Sequence, residues 1–418
     1  MKQKSILSIL SVVLVVTSLL VVLQVATPIT VFAAPATLWV NNTVTLGTDV
    51  SCASPGYATI SNAVSHAVAG DTINVCTGTY TEQVTIPITL TLTGVPYPTR
   101  SSAAPTIQSP AVLTADAFGS LNIVTITGAI TVTFQGFTVA GPGPSTCGGI
   151  NNGIFVEDGA TAYVLQNTIE HIRDQPISGC QNGHGISVGV VTGYNDATAS
   201  TVGQATISGN TIFDYQKGGI DVVNTGSTAT ITGNTITGVG PTTAIAQNGI
   251  EVLYGAVATV RSNTVSGNSY SAACNTQNYF TSCDQSAGIL LYDPATSTVQ
   301  GNEAYKNDVG IWAVSTGTGT VGTVTATSNN VHDNYGYGLV FDGVTGVSQN
   351  NFFSKNPVGI LVTDSAANAF VTSISDQFVG NTVNTFAYSA PGSFSLTFSV
   401  ETQPFSFPIP HPPHHHHP

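Results

Sequence analysis

A short phrase that pairs glycine with isoleucine or leucine recurs through this 418-residue chain. Repeats spaced by 20 to 50 residues are typical of solenoids, whose units bury their apolar faces only by stacking. The segments between the phrases alternate apolar and polar residues and end at Gly or Asn, which predicts short strands. Stacked in parallel, the isoleucines form one inward column, with neighbouring coils about 4.8 Å apart. The phrase occurs at intervals of 21 to 39 residues, as Gly153-Ile154, Gly185-Ile186, Gly219-Ile220, Gly249-Ile250, Gly288-Ile289, Gly310-Ile311, Gly338-Leu339 and Gly359-Ile360.

The composition supports strands over helices. Only 7% of the residues are charged, against about 25% in ordinary globular proteins. Helical surfaces usually need Lys, Glu and Arg, whereas Thr, Ser and Asn can cover a sheet. This excludes a helical bundle and a typical α/β enzyme. Because 42% of the residues are hydrophobic, a disordered chain is excluded as well.

The charge balance restricts the partners. The chain has 21 acidic residues against eight bases, and two of those bases, Lys2 and Lys4, lie at the N-terminus. A surface this acidic repels nucleic acid and anionic membranes. We therefore expect neither as a partner.

The N-terminus predicts export. Lys2 and Lys4 precede an apolar stretch over residues 6–26, and small residues follow it near Ala33. This is the pattern of a secretory signal, although the stretch is also long enough for an uncleaved N-terminal anchor. Both alternatives place the rest of the chain outside the cytoplasm, secreted or at the extracellular surface. No cytosolic partner is expected.

Six cysteines agree with an oxidising compartment. They fall into three sequence-local pairs, although six cysteines allow 15 connectivities. We predict pairing between nearest neighbours. The absence of a Cys-x-x-Cys motif excludes zinc-ribbon and thioredoxin-like sites. The predicted pairs are Cys52/Cys76, Cys147/Cys180 and Cys274/Cys283.

A second phrase, in which asparagine begins Asn-Thr-Ile or Asn-Thr-Val, interleaves with the first. It occurs at Asn167, Asn210, Asn234, Asn263 and Asn381. Asparagines at turns usually bond to neighbouring backbone. We therefore expect these residues to be structural rather than catalytic.

The chain resembles the right-handed parallel β-helix proteins of the pectate-lyase-like superfamily over residues 37–388. The most specific segments are residues 58–64 (ATISNAV), 70–75 (GDTINV) and 78–82 (GTYTE). The resemblance implies an all-β, right-handed parallel β-helix solenoid with a short N-terminal capping helix. Helical spacing of Ile60 and Val64 before Gly70 agrees with that helix.

The resulting domain organisation has four parts. Residues 1–33 are the signal peptide or anchor, 34–98 the N-terminal cap and first strands, and 99–388 the parallel β-helix. Residues 389–418 are a C-terminal extension that breaks the repeat and ends in a Pro- and His-rich tail. We assign His414 to His417 to a tail rather than to a metal site.

Two carboxylates on successive coils are the candidate catalytic pair. The residue after each isoleucine points outward, which places Asp221 and Glu251 about 5 Å apart if their registers match. Two carboxylates this close raise one pKa, and a spacing of about 5–5.5 Å suits a retaining glycoside hydrolase. Two solvated surface acids or a cation site are the alternatives.

His184 is the candidate supporting residue. The stretch Gly183-His184-Gly185 resembles the Gly-His-Gly motif of polygalacturonase-type glycoside hydrolases, in which the histidine supports the catalytic aspartates. The family's upstream pair of aspartates is missing, and Glu157-Asp158 is only a loose counterpart. Its Arg-x-Lys substrate clamp is missing too.

A polysaccharide lyase is the least favoured class. Elimination from a uronate needs a basic residue and cations that neutralise the substrate carboxylate, and an acidic chain repels an acidic polymer. We expect no cofactor; calcium that bridges Asp221 and Glu251 to a uronate is the alternative. Outside the leader the bases are widely spaced, at Arg100, Arg173, Lys217, Arg261, Lys306 and Lys355.

Aromatic residues offer a binding function. Tyr254, Tyr292, Trp312 and Tyr337 fall on or beside successive coils, and aromatic faces bind sugar rings by apolar contact. Lys217 is a further candidate substrate-binding residue. The sequence therefore predicts a protein that binds extracellular polysaccharide or is structural at the cell surface. A polygalacturonase-like glycoside hydrolase is the alternative.

Overall fold

The computed structural model describes residues 34–95, 104–143, 147–270, 286–317, 322–389 and 394–401. These residues form 35 short strands, β1 to β35, and one α-helix, α1. The chain visits three parallel sheets in turn and returns to each one a coil later. This is the predicted right-handed parallel β-helix.

Each sheet runs the length of the coil stack. The first contains β1 (Thr37–Val40), β2 (Thr72–Val75), β5 (Leu90–Gly94), β8 (Thr131–Gln135), β11 (Thr161–Leu165), β14 (Gln204–Ser208), β17 (Thr228–Thr232), β20 (Val257–Arg261), β23 (Ser297–Gln300), β26 (Thr323–Thr327), β29 (Thr345–Gln349), β32 (Ala369–Ile374) and β35 (Leu396–Glu401). The second contains β4 (Val84–Ile86), β7 (Asn122–Thr127), β10 (Asn152–Glu157), β13 (His184–Val188), β16 (Gly218–Val223), β19 (Asn248–Leu253), β22 (Ala287–Tyr292), β25 (Val309–Val314), β28 (Tyr337–Asp342), β31 (Val358–Thr363) and β34 (Val383–Tyr388). The third contains β3 (Thr79–Thr81), β6 (Thr106–Gln108), β9 (Thr138–Ala140), β12 (Thr168–Glu170), β15 (Thr211–Phe213), β18 (Thr235–Thr242), β21 (Thr264–Tyr270), β24 (Glu303–Tyr305), β27 (Asn330–His332), β30 (Phe352–Ser354) and β33 (Gln377–Val379).

The glycine–isoleucine phrase builds the inner wall of the second sheet. Ile186 is in register with Ile220, which is in register with Ile250, and all three are fully buried. The preceding glycine is needed because the wall is tight there. A Cβ on Gly219 would lie 2.4 Å from the carbonyl oxygen of Gly249 and 2.6 Å from Ile236. The inward column is therefore confirmed.

A ladder of asparagines joins the coils at the turn before the third sheet. Each side-chain oxygen accepts the backbone N–H of the preceding asparagine in the ladder, so that Asn210 N donates to Asn234 Oδ1 at 2.9 Å. Each side-chain amide also donates to a backbone carbonyl, as Asn234 Nδ2 does to Ile207 O at 3.0 Å. The structural role expected for Asn167, Asn210, Asn234 and Asn263 is thus confirmed. The ladder consists of Asn167, Asn210, Asn234, Asn263, Asn302, Asn329 and Asn351. Asn381 has the same role in a second ladder, where its Oδ1 accepts the backbone N–H of Asn356 at 2.9 Å.

The outer face of the first sheet is covered largely by threonine, which explains why the chain has few charged residues. On this face, one threonine column is in register over five successive coils. Threonine hydroxyls make this face hydrophilic without ionised groups, and the β-branched threonine side chain is favoured in strands. The column consists of Thr206, Thr230, Thr259, Thr298 and Thr325.

Helix α1 (Ile60–His66) lies over the first coil and buries Ile60, Ala63 and Val64. The Thr59 side chain accepts from the backbone N of Asn62, as helix N-caps do. Glu82 accepts the backbone N–H groups of Ile60 and Ser61 at 2.8 and 2.9 Å. The predicted capping helix is therefore present.

Two predicted disulfides are present, Cys52–Cys76 and Cys147–Cys180. Cys274 and Cys283 lie outside the described residues, as do the leader over residues 1–33 and the histidine tail. In the part of the chain that is described, no helix has the length and apolarity to cross a membrane.

The C-terminal extension differs from the expectation that the repeat ends before Ser389. β35 pairs in parallel with β32 and adds one more strand to the first sheet. Its residues lack the glycine–isoleucine phrase because that phrase marks the second sheet, not the first.

We expect Asn234→Ala to destabilise the coil stack. The substitution leaves the backbone N–H of Asn210 and the carbonyl of Ile207 without their partners, and each unsatisfied buried group costs about 1–3 kcal/mol. The free energy of unfolding, measured by urea denaturation, should fall by about 2–6 kcal/mol. Asn330→Ala, at an exposed position, is the matched control and should change it by less than about 0.5 kcal/mol. Equal effects of the two substitutions would contradict the ladder's role.

Candidate functional site

Three predicted site residues come together on adjacent coils of the second sheet. Asp221 and Glu251 are register partners in β16 and β19, and His184 begins β13. One donor atom from each side chain lies within 4.8 Å of the other two. These three residues are called the buried triad below, because His184, Asp221 and Glu251 are 0%, 0% and 2% exposed.

Gly218 allows the triad to form. It is the register partner of His184, and a Cβ there would lie 2.4 Å from Asp221 Oδ1 and 2.5 Å from His184 Nδ1. Without that carbon, His184 Nδ1 reaches past Gly218 and contacts Asp221 Oδ2.

Residues 189–203, the cover segment, enclose the triad from outside. Val190 and Ala197 pack with Tyr194 on the outward-facing Phe155. Tyr194 Oη lies 3.0 Å from Asp221 Oδ2 and 2.8 Å from Glu251 Oε2. The sequence analysis placed Asp221 and Glu251 at outward-pointing positions, where solvent would be expected to reach them. The structure differs because this inserted segment folds back over the face instead of projecting into solvent.

Burial and mutual repulsion set the protonation of the triad. Burial, followed by the nearby Asp221 carboxylate, raises the pKa of Glu251. Burial alone would lower the pKa of His184, but the Asp221 carboxylate beside the ring more than offsets this, so that pKa is raised as well. Asn248 Nδ2 donates to Glu251 Oε1. A protonated Glu251 therefore donates through Oε2 to Tyr194 Oη, which leaves the single Tyr194 proton for Asp221.

Apart from His184 Nδ1, which is in ion-pair contact with Asp221 Oδ2, two polar atoms of the triad have no hydrogen-bond partner among the described residues. These are His184 Nε2 and Asp221 Oδ1, both enclosed. Lys217 lies near enough for its charge to lower the pKa of Glu251, but its Nζ donates to the carbonyl of Ala246 at 2.9 Å. Lys217 therefore sits beside the triad rather than beside the candidate aromatic residues. The triad can share protons or ligate a cation, and a polysaccharide does not reach it under the cover segment.

The predicted aromatic residues lie on or beside the outer face of the same sheet. Tyr254 is in the turn after β19, on the coil of Glu251, and Tyr292, Trp312 and Tyr337 follow on β22, β25 and β28. Trp312 and Tyr337 are half-buried and pack on a small apolar cluster that is separate from the interior of the coil. Tyr254 is 39% exposed, and its ring centroid lies 5.6 Å from that of Tyr292. We call Tyr254, Tyr292, Trp312 and Tyr337 the aromatic face.

Glu157 and Asp158, the loose counterparts of a catalytic pair, are not part of the triad. Glu157 is buried on β10. Burial, followed by the carboxylate of Asp116, raises the pKa of Glu157 to about 8. Asp158 lies in the turn after the strand with a φ of 53°.

Sequence reasoning missed Tyr194, Gly218 and Asn248. The signal for Tyr194 was the 34-residue interval between Gly185 and Gly219, longer than the shortest interval of 21. The extra residues include the cover segment. Gly218 occupies the position directly before the glycine–isoleucine phrase, where every other coil has a residue with a side chain. This difference could have been identified from the sequence.

The comparison with known families agrees with this architecture. The model of the right-handed β-helix region matches residues 122–277 and 198–374. Together these matches cover more than half of the chain. The protein belongs to the right-handed β-helix family.

Solved structures share the fold at low identity. A GH136 lacto-N-biosidase from Eubacterium ramulus aligns with a TM-score of 0.54 and 13% identity, over 87% of this chain and 68% of that one. An exopolygalacturonase from Thermotoga maritima aligns with a TM-score of 0.47 and 9% identity, over 80% and 87%. The periplasmic alginate epimerase AlgG aligns with a TM-score of 0.43 and 13% identity, over 80% and 71%. No curated protein matches the sequence. At 13% identity, the likeness to the lacto-N-biosidase shows the fold alone.

Glu157 should make the protein less stable as the pH rises. In the unfolded chain its carboxyl ionises near its ordinary pKa of 4.5, whereas in the folded chain it holds its proton to about pH 8. Between these values the folded state binds more protons, so raising the pH favours unfolding. The unfolding free energy of the wild type, relative to that of Glu157→Gln, should fall from pH 5 to 8 and then level off. Urea denaturation of both proteins across this range tests this, and parallel curves would contradict it.

Proposed function

We propose that this protein binds polysaccharide outside the cell through the aromatic face of its second sheet. The observation that carries the proposal is the set of half-buried and exposed rings along one side of the coil stack, of which Trp312 and Tyr337 pack on an apolar cluster outside the coil interior. Apolar ring faces are the groups that contact sugar rings.

The packing of the aromatic face suits binding. Trp312 contacts an outer cluster that includes Val340 and Leu361, so its ring is already held in place. A side chain that is ordered before binding loses less conformational entropy on binding. Because successive coils repeat about every 4.8 Å, the face extends along the stack and fits an extended polymer rather than a single sugar.

The charge of the chain favours a neutral polymer. The net charge of −13 repels a polyuronate at moderate salt. Asp293 directly follows Tyr292, and Asp342 ends the strand that begins with Tyr337. The expected ligand is therefore a neutral glycan. The predicted secretory leader and the two disulfides support a location outside the cytoplasm.

Removing two rings should weaken binding. We expect the double substitution Tyr292→Ala and Trp312→Ala to reduce affinity for an insoluble neutral polysaccharide by about tenfold or more, equivalent to about 1.4 kcal/mol. Pull-down isotherms on a panel of neutral and acidic glycans provide the measurement. Tyr163→Ala, at a 42% exposed tyrosine on the first sheet, is the control and should bind like the wild type. The proposal would be contradicted by an equal loss of affinity in the double variant and in Tyr163→Ala. It would also be contradicted if the wild type bound none of the glycans.

Glycoside hydrolysis is the second candidate, and the register of Asp221 with Glu251 favours it. A protonated acid beside an ionised one is the arrangement that hydrolysis requires, but the cover segment would have to move aside. The same glycan panel separates the two functions through release of reducing sugar. Release by the wild type that is lost in Asp221→Asn and in Glu251→Gln would establish hydrolysis. Binding without release leaves the protein a binding module.

A further inference from the structure

We propose that the buried triad is a site for one divalent transition-metal ion of the zinc type. His184, Asp221 and Glu251 offer one imidazole nitrogen and two carboxylates from three successive coils. Their donor atoms converge to within 4.8 Å of one another. Tyr194 of the cover segment also contacts Tyr254 of the aromatic face, with ring centroids 5.9 Å apart, but the proposed ligands are the triad residues alone and the inference does not depend on glycan binding.

The separations are close to those that one ion requires. Zinc binds histidine nitrogen and carboxylate oxygen at about 2.0–2.2 Å. Two ligands of one ion are therefore at most about 4.4 Å apart, when they lie on opposite sides. The 4.8 Å limit on the present separations exceeds this maximum by about 0.4 Å, so side-chain rotations are needed to bring the three donors onto a common centre.

The unpartnered atoms point to a ligand. His184 Nε2 and Asp221 Oδ1 have no hydrogen-bond partner among the described residues, although both side chains are fully buried. An unsatisfied buried polar group costs about 1–3 kcal/mol. A cation in the triad would remove that cost for the carboxylate, and for whichever imidazole nitrogen coordinates it.

The chemistry of the donors selects the ion. Imidazole together with carboxylate suits zinc and its neighbours in the first transition row. Calcium takes six to eight oxygen ligands, and Asp221, Glu251 and the Tyr194 hydroxyl offer fewer. Binding the ion displaces the protons of Glu251 and His184. With both carboxylates ionised and His184 neutral, the triad and Lys217 carry one net negative charge, which attracts a divalent cation. The Tyr194 hydroxyl, which contacts both carboxylates, is placed to orient them.

The metal would fasten the cover segment to the second sheet. Tyr194 is the link, because its hydroxyl reaches Asp221 and Glu251 across the coil surface. An ion that holds the two carboxylates in place also holds the groups with which the Tyr194 hydroxyl forms its hydrogen bonds. Zinc should therefore raise the thermal unfolding midpoint of the full chain.

The test uses the full chain after removal of metal by chelation and dialysis, with Zn²⁺ as the probe. Because the tail histidines are zinc ligands in their own right, the parent protein carries serine at His411 and at His414 to His417. Metal analysis after gel filtration should find one zinc per parent chain. Asp221→Asn in this background should lose that equivalent and the zinc-dependent rise in unfolding midpoint. His332→Asn, beside the acids Glu303 and Asp333 on the third sheet, is the control and should keep both.

A parent protein that binds no zinc overturns the proposal by itself, whatever the variants do. Zinc that stays at one equivalent in Asp221→Asn also overturns it, because the ion is then elsewhere. Calcium bound at the triad in place of zinc contradicts the assignment of the ion. Circular dichroism confirms that the variant is folded, and if Asp221→Asn fails to fold, Glu251→Gln provides the same comparison. A zinc anomalous-scattering peak within about 2.2 Å of a His184 ring nitrogen would place the ion directly.

Discussion

The structure depends on backbone hydrogen bonds between each strand and the strand one coil further along the chain. Those bonds fix the register, so that residues about 30 positions apart in sequence become neighbours about 4.8 Å apart. Every feature described above is a column of such neighbours. The isoleucines make the interior wall, the threonines the outer face of the first sheet, and the asparagines the seam before the third sheet.

The same stacking explains both the seam and the triad. In the asparagine ladder, each side-chain oxygen accepts hydrogen bonds from the backbone N–H and the side-chain amide of the preceding asparagine. The column is therefore uncharged, and its hydrogen bonds are made within the ladder. In the second sheet one column passes from Asn152 to His184 and Gly218, while the adjacent column brings Asp221 beside Glu251. Ionisable groups replace amides there, and no neighbour satisfies all of their atoms. The departure from a regular column is what makes this place chemically distinctive.

The parts of the fold that follow the period could be predicted from the sequence. The glycine–isoleucine phrase indicated the inward column, and the outward position after it correctly placed Asp221 next to Glu251. His184, the residue before the phrase, begins strand β13. Sequence spacing sufficed because register in a solenoid is set by the repeat itself.

The parts that depart from the period could not be predicted. The path of the cover segment is decided by contacts such as those of Ala197 and Tyr194 with Phe155, which no repeat encodes. Sequence spacing therefore predicted correctly that Asp221 and Glu251 are neighbours. It predicted incorrectly that their side chains are open to solvent. Strand β35 was missed for a similar reason, because the first sheet has no phrase as distinctive as that of the second.

Engineered disulfides test the in-register coil stack most directly. Thr206 and Thr230 are register partners on the outer face of the first sheet. Cysteines at these positions should therefore form a disulfide, since strand spacing of about 4.8 Å lies within disulfide reach. Cysteines at Thr206 and Thr232, on the same face but two residues out of register, should not, because their Cα atoms would be about 8 Å apart. Disulfide mapping by mass spectrometry that finds only the 206–230 link supports the account, and preferential formation of the 206–232 link would contradict it.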